Sequence, residues 1–285
     1  MTSNPNQLDG DIERARAALR AADALLITAG AGMGVDSGLP DFRGTEGFWN
    51  AYPAIAKLGL SFADMARPDW FRKAPELAWA FYGHRLNLYR ATVPHAGFAR
   101  LLAVAARKRH GYFVFTSNVD GQFQKAGYAP AQIVECHGSL HHFQCSEPCA
   151  GPIWEAAEER VVVDEAQFRA VPPLPACPHC RALARPNVLM FGDYSWLSER
   201  TSAQEVRLKN WLHGLKQARA NLTVVELGAG TAIPTVRLKS ELAARDLSGT
   251  LIRINPREAE VPPGGLGLRL NAAEGIRRIC EGTDA

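Results

Sequence analysis

The apolar run Ala24–Thr28 (ALLIT) leads at once into Gly30-Ala31-Gly32-Met33-Gly34. No other feature narrows the possible folds as much. Glycine lets backbone N–H groups approach a ligand closely, and a buried strand that breaks into such a turn is a common entry to a dinucleotide site. Taken alone, the turn reads equally well as a tight strand-to-helix corner with no ligand. The sequence that follows is Gly38-Leu39-Pro40-Asp41-Phe42-Arg43, and Pro40 opposes a helix continuing through it. An acid, an aromatic ring and a guanidinium then stand on a loop placed to lie over a ligand.

Further strand-like runs occur at 112–116, 133–136, 222–227 and 251–254. Helices are expected over 11–22, 76–91 (opened by Pro75), 95–109, 233–246 and 271–281. Strands that alternate with helices imply an α/β fold, a doubly wound parallel sheet covered on both faces. Residues 45–92 are rich in aromatic side chains, are broken by Pro68 and Pro75, and read as a small helical insertion. Residues 140–186 are loop-rich, with a strand candidate at 161–163. The expectation is one domain over 1–285: a Rossmann-like core at about 10–44, 93–139 and 186–285, a helical insertion at about 45–92, and a cysteine-bearing module at about 140–185.

The 285 residues suffice for one large domain with insertions. With 47% hydrophobic and 21% charged residues the composition is that of an ordinary globular protein. A net charge of +3 does not call for nucleic acid. No apolar run approaches a membrane span, and Met1–Asp9 is polar, so the expected compartment is the cytoplasm.

Four of the six cysteines form close pairs, Cys145/Cys149 and Cys177/Cys180, spaced C-x3-C, 27 residues, C-x2-C. Each pair can chelate one ion, and two pairs complete a closed tetrahedral thiolate site, so structural zinc is expected. The competing reading is a redox pair, with which Pro-His between Cys177 and Cys180 is compatible. Cys136 and Cys280 read as buried apolar residues.

Other candidate residues sit just beyond strand ends, where parallel sheets bind ligands. Ser117, Asn118 and Asp120 follow the 112–116 strand, and His137 follows the 133–136 strand. An imidazole suits general base work near neutral pH, but His141, His142 and His179 lie nearby, so position alone does not choose among them. Gly228, Gly230 and Thr231 follow the 222–227 strand, and Asn255 follows the next. These read either as contacts to the adenosine half of a dinucleotide or as simple turns. On the 76–91 helix, apolar residues recur at Leu77/Ala78, Phe81/Tyr82 and Leu88/Tyr89, and Arg85 falls on that stripe. A charge facing inward wants an anionic partner: a structural carboxylate, or the carboxylate of a ligand.

Four segments now stand in order: 30–44, Thr116-Ser117-Asn118-Val119-Asp120-Gly121, His137-Gly138-Ser139, and the two cysteine pairs. Together they resemble the sirtuins, the NAD-dependent protein deacylases, from about residue 24 to about 280. The resemblance implies NAD bound by Gly30, Ala31 and Gly32, with Asp41, Phe42 and Arg43 on a cofactor loop. There Phe42 shields the reactive ribose carbon and Arg43 contacts phosphate. It further implies that Asn118 orients a ribose and a water, that Asp120 holds the nicotinamide carboxamide, and that His137 takes a proton from a ribose hydroxyl. Residues 185–192 resemble the segment that pairs with the substrate backbone, with Val188, Met190 and Phe191 as substrate contacts; a core strand is the other reading. Tyr82 and Arg85 resemble the Tyr-x-x-Arg pair of the subgroup that removes succinyl or malonyl groups. The family usually has Gln at Ser117 and Leu-His at Gln122-Phe123. The implied reaction is removal of acyl groups from lysine in a protein or peptide, giving nicotinamide and O-acyl-ADP-ribose. The alternative is NAD hydrolysis or ADP-ribosyl transfer on the same fold.

Overall fold

The computed structural model describes residues 5–41, 49, 52–57, 59–157 and 159–282. Phe42 and Arg43, both expected on the cofactor loop, lie outside the described residues.

Six parallel strands form the main sheet: β1 (Ala24–Ala29), β2 (Tyr112–Thr116), β3 (Ile133–Glu135), β9 (Leu222–Leu227), β10 (Thr250–Ile254) and β11 (Leu266–Leu268). Their spatial order is β11-β10-β9-β1-β2-β3. From β1 the chain runs outward through β2 and β3, then returns to the other side of β1 as β9 and runs outward again. The order therefore reverses between β1 and β9, and a crevice opens there beyond the carboxyl ends of the strands. Every residue of β1, β2 and β9 is buried, which is why these strands read as mostly apolar runs without strict alternation.

Successive side chains still point to opposite faces. Leu25 and Ile27 join one core with Leu19, Phe98 and Ile276, under α1 (Pro5–Ala21), α7 (Ala96–Ala105) and α11 (Ala272–Cys280). Leu26 joins the other with Phe113, Leu208 and Val236, under α9 (Glu199–Ala218) and α10 (Thr235–Asp246). Glu226 and Arg253, one on each of two neighbouring strands, form a buried ion pair at 2.5 Å, and Glu241 joins it at 2.7 Å.

A second sheet, order β5-β4-β8, is made by β4 (Gly138–Cys145), β5 (Trp154–Glu155) and β8 (Ala184–Val188). Strands β6 (Val162–Asp164) and β7 (Arg169–Val171) form a hairpin beside it. Helices α3 (Pro53–Ala56), α4 (Phe62–Met65), α5 (Trp70–Lys73) and α6 (Pro75–Ala91) supply the remainder of this module. Its aromatic core contains Tyr52, Trp79, Phe81, Tyr82 and Phe143. Trp79 is fully buried and donates to the Ala184 carbonyl at 3.0 Å, which ties α6 to β8. Two short helices, α2 (Gly32–Val35) and α8 (Gln122–Lys125), follow the ends of β1 and β2. Among the described residues no helix is long and apolar enough to cross a membrane.

Candidate functional site

The carboxyl ends of β10, β9, β1, β2 and β3 lie side by side, and each carries one of the expected segments. The two glycine turns at the switch point are packed backbone against backbone. Gly30 N–H donates to the Leu227 carbonyl and Gly32 N–H to the Gly228 carbonyl, both at 3.0 Å. A Cβ on Gly30 would stand 2.8 Å from Ala229 Cα, and one on Gly32 only 2.7 Å from Gly228 Cα. Glycine is required here by the approach of the two turns, a constraint separate from any ligand. The turn is braced from two helices. His95 reaches the Met33 carbonyl at 3.1 Å, and the Asp36 carboxylate accepts from Ala273 N–H at 2.7 Å, capping α11. Neither brace was signalled by sequence pattern, because both partners are distant in the chain.

On β9 and β10 the polar side chains are engaged with the protein itself. Thr231 N–H and hydroxyl both donate to Glu258, at 3.2 and 2.7 Å. Asn255 is wholly buried. Its amide donates to the Ala229 carbonyl at 2.9 Å and its oxygen accepts from the N–H groups of Arg257 and Glu258 at 3.0 Å each. In this structure the Asn255 side chain braces the Gly228 turn.

At β2, Thr116 Oγ1 accepts from Asn118 N–H at 3.0 Å, and Asn118 Nδ2 donates to the Gly30 carbonyl at 3.0 Å. Asn118 is therefore tied across to the first glycine turn. Asp120 is buried; its Oδ1 accepts from Gln122 N–H at 2.9 Å, while Oδ2 lies 3.7 Å from where a Gly34 Cβ would be. Burial, with a contribution from Glu135, lifts the Asp120 carboxyl to about 6. Gln122, where the family usually has Leu, donates to the Tyr89 carbonyl at 3.1 Å and so joins this loop to α6.

The structure separates the histidines. The backbone of His137 accepts from Leu189 N–H at 3.0 Å. Its ring is mostly buried, which lowers its pKa against a hydrogen bond with the Ser117 backbone that raises it. The base candidate therefore stands against the β2 end that carries Asn118. His141 instead reaches the Asp120 carbonyl at 2.9 Å, His142 faces another cavity, and His179 is exposed between two cysteines.

Residues 184–188 form a strand of the second sheet, not of the main sheet, with Gly138 opposite Val188. Val188 and Met190 are buried, whereas Leu189 and Phe191 are exposed, so the chain emerges just after the strand. A buried Arg185–Asp193 ion pair pins that exit. On α6, Arg85 faces inward as its place on the stripe requires and is 5% exposed. Tyr89 Oη accepts from Arg85 Nε and Nη2 at 3.1 and 3.0 Å. The rings of Phe81, Phe62, Tyr89 and Tyr82 surround its guanidinium at 5.2–5.8 Å. Burial works against the charge, and Tyr89, Tyr52 and Tyr82 together outweigh it, so the Arg85 pKa is raised.

The Sγ atoms of Cys145, Cys149, Cys177 and Cys180 all lie within 4.8 Å of one another. Two of the separations are 3.5 and 3.8 Å. A tetrahedron of Zn–S bonds near 2.3 Å has edges of about 3.8 Å, so the four thiols fit a structural zinc. No disulfide forms among them. Cys136 and Cys280 are buried away from the cluster.

A family profile described as SIR2, the Sir2 family, matches residues 30–210. The chain is 30% identical to the NAD-dependent protein deacylase of Deinococcus radiodurans over 275 residues, covering 95% of this chain and 99% of that protein. It is 29% identical over 269 residues to the NAD-dependent protein deacylase of Thermus thermophilus, covering 93% and 92%. Among solved structures, a Sir2 homologue in complex with ADP-ribose superposes with a TM-score of 0.69 at 26% identity, covering 95% of this chain and 96% of that one. A Sir2 homologue in complex with 2′-O-acetyl-ADP-ribose gives 0.66 at 27% identity over the same shares. The ordered glycine turns, the Asn118–His137 strand ends, the four-thiol cluster and a profile match over more than half its length agree: the chain belongs to the Sir2 family.

Proposed function

We propose that this chain is an NAD-dependent protein-lysine deacylase and that it prefers acyl groups ending in a carboxylate, such as succinyl or malonyl. The observation that carries the activity is the line of strand ends at the switch point, with Asn118 and His137 on adjacent strands beside the paired glycine turns. NAD supplies the electrophilic ribose carbon exposed when nicotinamide leaves. The residues present suit it. The glycine turns at Gly30–Gly32 and Gly228–Gly230 lie at the topological switch point, and Asp120 offers a buried carboxylate for an amide N–H. Asn118, anchored on the Gly30 carbonyl, orients a ribose hydroxyl. His137 is held neutral by burial and accepts a proton from a hydroxyl at its ring nitrogen. Zinc in a closed thiolate site has no open position, so it stabilises and does not react.

Preference for acidic acyl groups rests on Arg85. Its guanidinium is buried on the same helix face as Tyr82, with the Tyr89 hydroxyl against it, and this Tyr-x-x-Arg pair resembles the one that holds a distal carboxylate in the subgroup removing succinyl or malonyl groups. Leu189 and Phe191 expose apolar side chains on the segment that resembles the family's substrate-pairing segment, and these offer contact to a peptide. Ser117, shorter than the family's usual Gln, favours a second reading, NAD hydrolysis or ADP-ribosyl transfer.

One experiment separates these readings. Nicotinamide release is followed with acetyl-, succinyl-, malonyl- and unmodified lysine peptides in parallel. Release that requires an acylated peptide, fastest with the acidic acyl groups, is expected. Release at the same rate with every peptide and with none would replace deacylation by the second reading.

A further inference from the structure

Apart from the cleft at the strand ends, the protein has a cavity of about 850 Å³ between the end of α6, α8, the start of β4 and α9. That volume is in the range of small-molecule sites. His137, Asn118 and the glycine turns are not among its walls, but Asp120 and Ser139 are, so the cavity backs onto the strand-end cleft.

Its charge is unusual. Arg90, Lys125, Arg200 and Arg207 line it, against the carboxylates of Asp120 and Glu155. Arg90 donates to the backbone carbonyls of Glu159 and Ala156. Lys125 donates to those of Arg90 and Thr92 at 2.6 Å each. Arg207 donates to those of Ala131 and Ala203 at 3.0 and 3.3 Å. Carbonyls are neutral acceptors, and among the described residues none of these three cations meets a carboxylate. Arg200 is paired with the buried Glu135, but its Nη1 has no hydrogen-bond partner, and neither has Nδ1 of the neighbouring His142.

The helix geometry makes this a built face. Arg200, Ala203, Gln204 and Arg207 fall at i, i+3, i+4 and i+7 on α9, one side of the helix. Their spacing puts the two arginines about 10 Å apart along the axis. Small and apolar residues (Pro130, Ala131, Ala157 and Ala203) occupy the wall with them. Spaced cations, of which Arg90, Lys125 and Arg207 have no acidic partner among the described residues, around a partly apolar hollow match a compact molecule carrying more than one anionic group.

We infer that this cavity binds a small organic or inorganic polyanion, bearing phosphate or carboxylate groups, at a site that adjoins the NAD cleft across Asp120 without using the glycine turns, Asn118 or His137. Arg207 and Lys125 would contact it from opposite elements, and Arg90 and Arg200 would add charge.

The test uses the zinc-loaded full chain. Pyrophosphate and citrate, as phosphate and carboxylate probes, are each titrated by calorimetry with and without NAD, into wild type, Arg207→Gln and Lys125→Gln. One equivalent of at least one probe is expected to bind equally with NAD present. Affinity should fall about tenfold or more in both variants, as expected for loss of a charge-assisted contact. Thermal midpoints and NAD-dependent turnover without the probe should match wild type, which shows that the variants are folded. Binding of neither probe, displacement of the probe by NAD, or undiminished affinity in either variant would overturn the inference.

Discussion

Replacing Arg85 by Met tests the acyl preference at the residue that carries it. The guanidinium is 5% exposed and enclosed by four rings. A carboxylate brought against it exchanges water for hydrogen bonds to a charged group, worth about 1.5–3 kcal/mol. At about 1.4 kcal/mol per factor of ten, Arg85→Met should lower kcat/KM on a succinyl-lysine peptide roughly 10- to 150-fold. The loss grows where removal of one partner leaves the other charge buried and unpaired. An acetyl group has no carboxylate, so kcat/KM on the acetyl peptide should stay within about twofold or rise. Met preserves most of the side chain's length in an aromatic core, and it relieves a buried charge, so the fold should tolerate it. Tyr89→Phe, which removes the hydroxyl that accepts both Arg85 bonds, should shift preference in the same direction by less. The assay is product quantification on the two peptides under first-order conditions. Equal losses on both peptides, or an unchanged succinyl rate, would refute the assignment of Arg85.

Four other outcomes follow from the geometry. Because burial lowers the pKa of His137, the acid limb of the kcat/KM profile should fall below the ordinary histidine value of 6.5; a limb above 6.5 would contradict a buried neutral base. His95 and His141 are also held low by burial, and His142 is brought down to about 4. The unfolded chain takes up those protons first, so stability should decline as pH falls below about 6.5, measured as a falling thermal midpoint. Gly32→Ala places a Cβ 2.7 Å from Gly228 Cα; the turns must separate, and NAD affinity and the thermal midpoint should both drop, whereas an unaltered protein would show that the packing there is slack. Zinc removal by a chelator should lower the thermal midpoint of a protein that contains one zinc per chain by elemental analysis; an unchanged midpoint would remove the stabilising role.

Much of the main sheet was legible because its strands are buried on both faces. ALLIT and YFVFT are apolar but for a terminal Thr, LTVVEL is interrupted only by Thr223 and the ion-paired Glu226, and turn residues follow each one. The 20-residue α9 was not legible. Its inward positions begin with Thr201 and Gln204 before reaching Leu208 and Leu215, so half of its buried stripe is polar. Those polar residues have partners on β3: Gln204 accepts from Glu135 N–H, and Thr201 donates to the Glu135 carbonyl. β4 was hidden for a similar reason, since His141 and His142 interrupt its alternation, and β11 is only three residues long. In the site, residues just beyond strand ends could be found from strand position and motif order. The roles of Asn255, Thr231 and His141 could not, because their partners, Ala229, Glu258 and the Asp120 carbonyl, depend on which loops meet. The inward Arg85 was legible from helical period alone, but its partner Tyr89 is one turn further on and looked like part of the apolar stripe.

The most direct test of the account is the stoichiometry of turnover, resolved by mass, in wild type and His137→Ala. The wild-type protein is expected to consume one NAD and form one O-acyl-ADP-ribose for each lysine freed, and His137→Ala to lose that turnover by at least about a hundredfold. NAD consumed without matching deacylated peptide, or full turnover by His137→Ala, would contradict it.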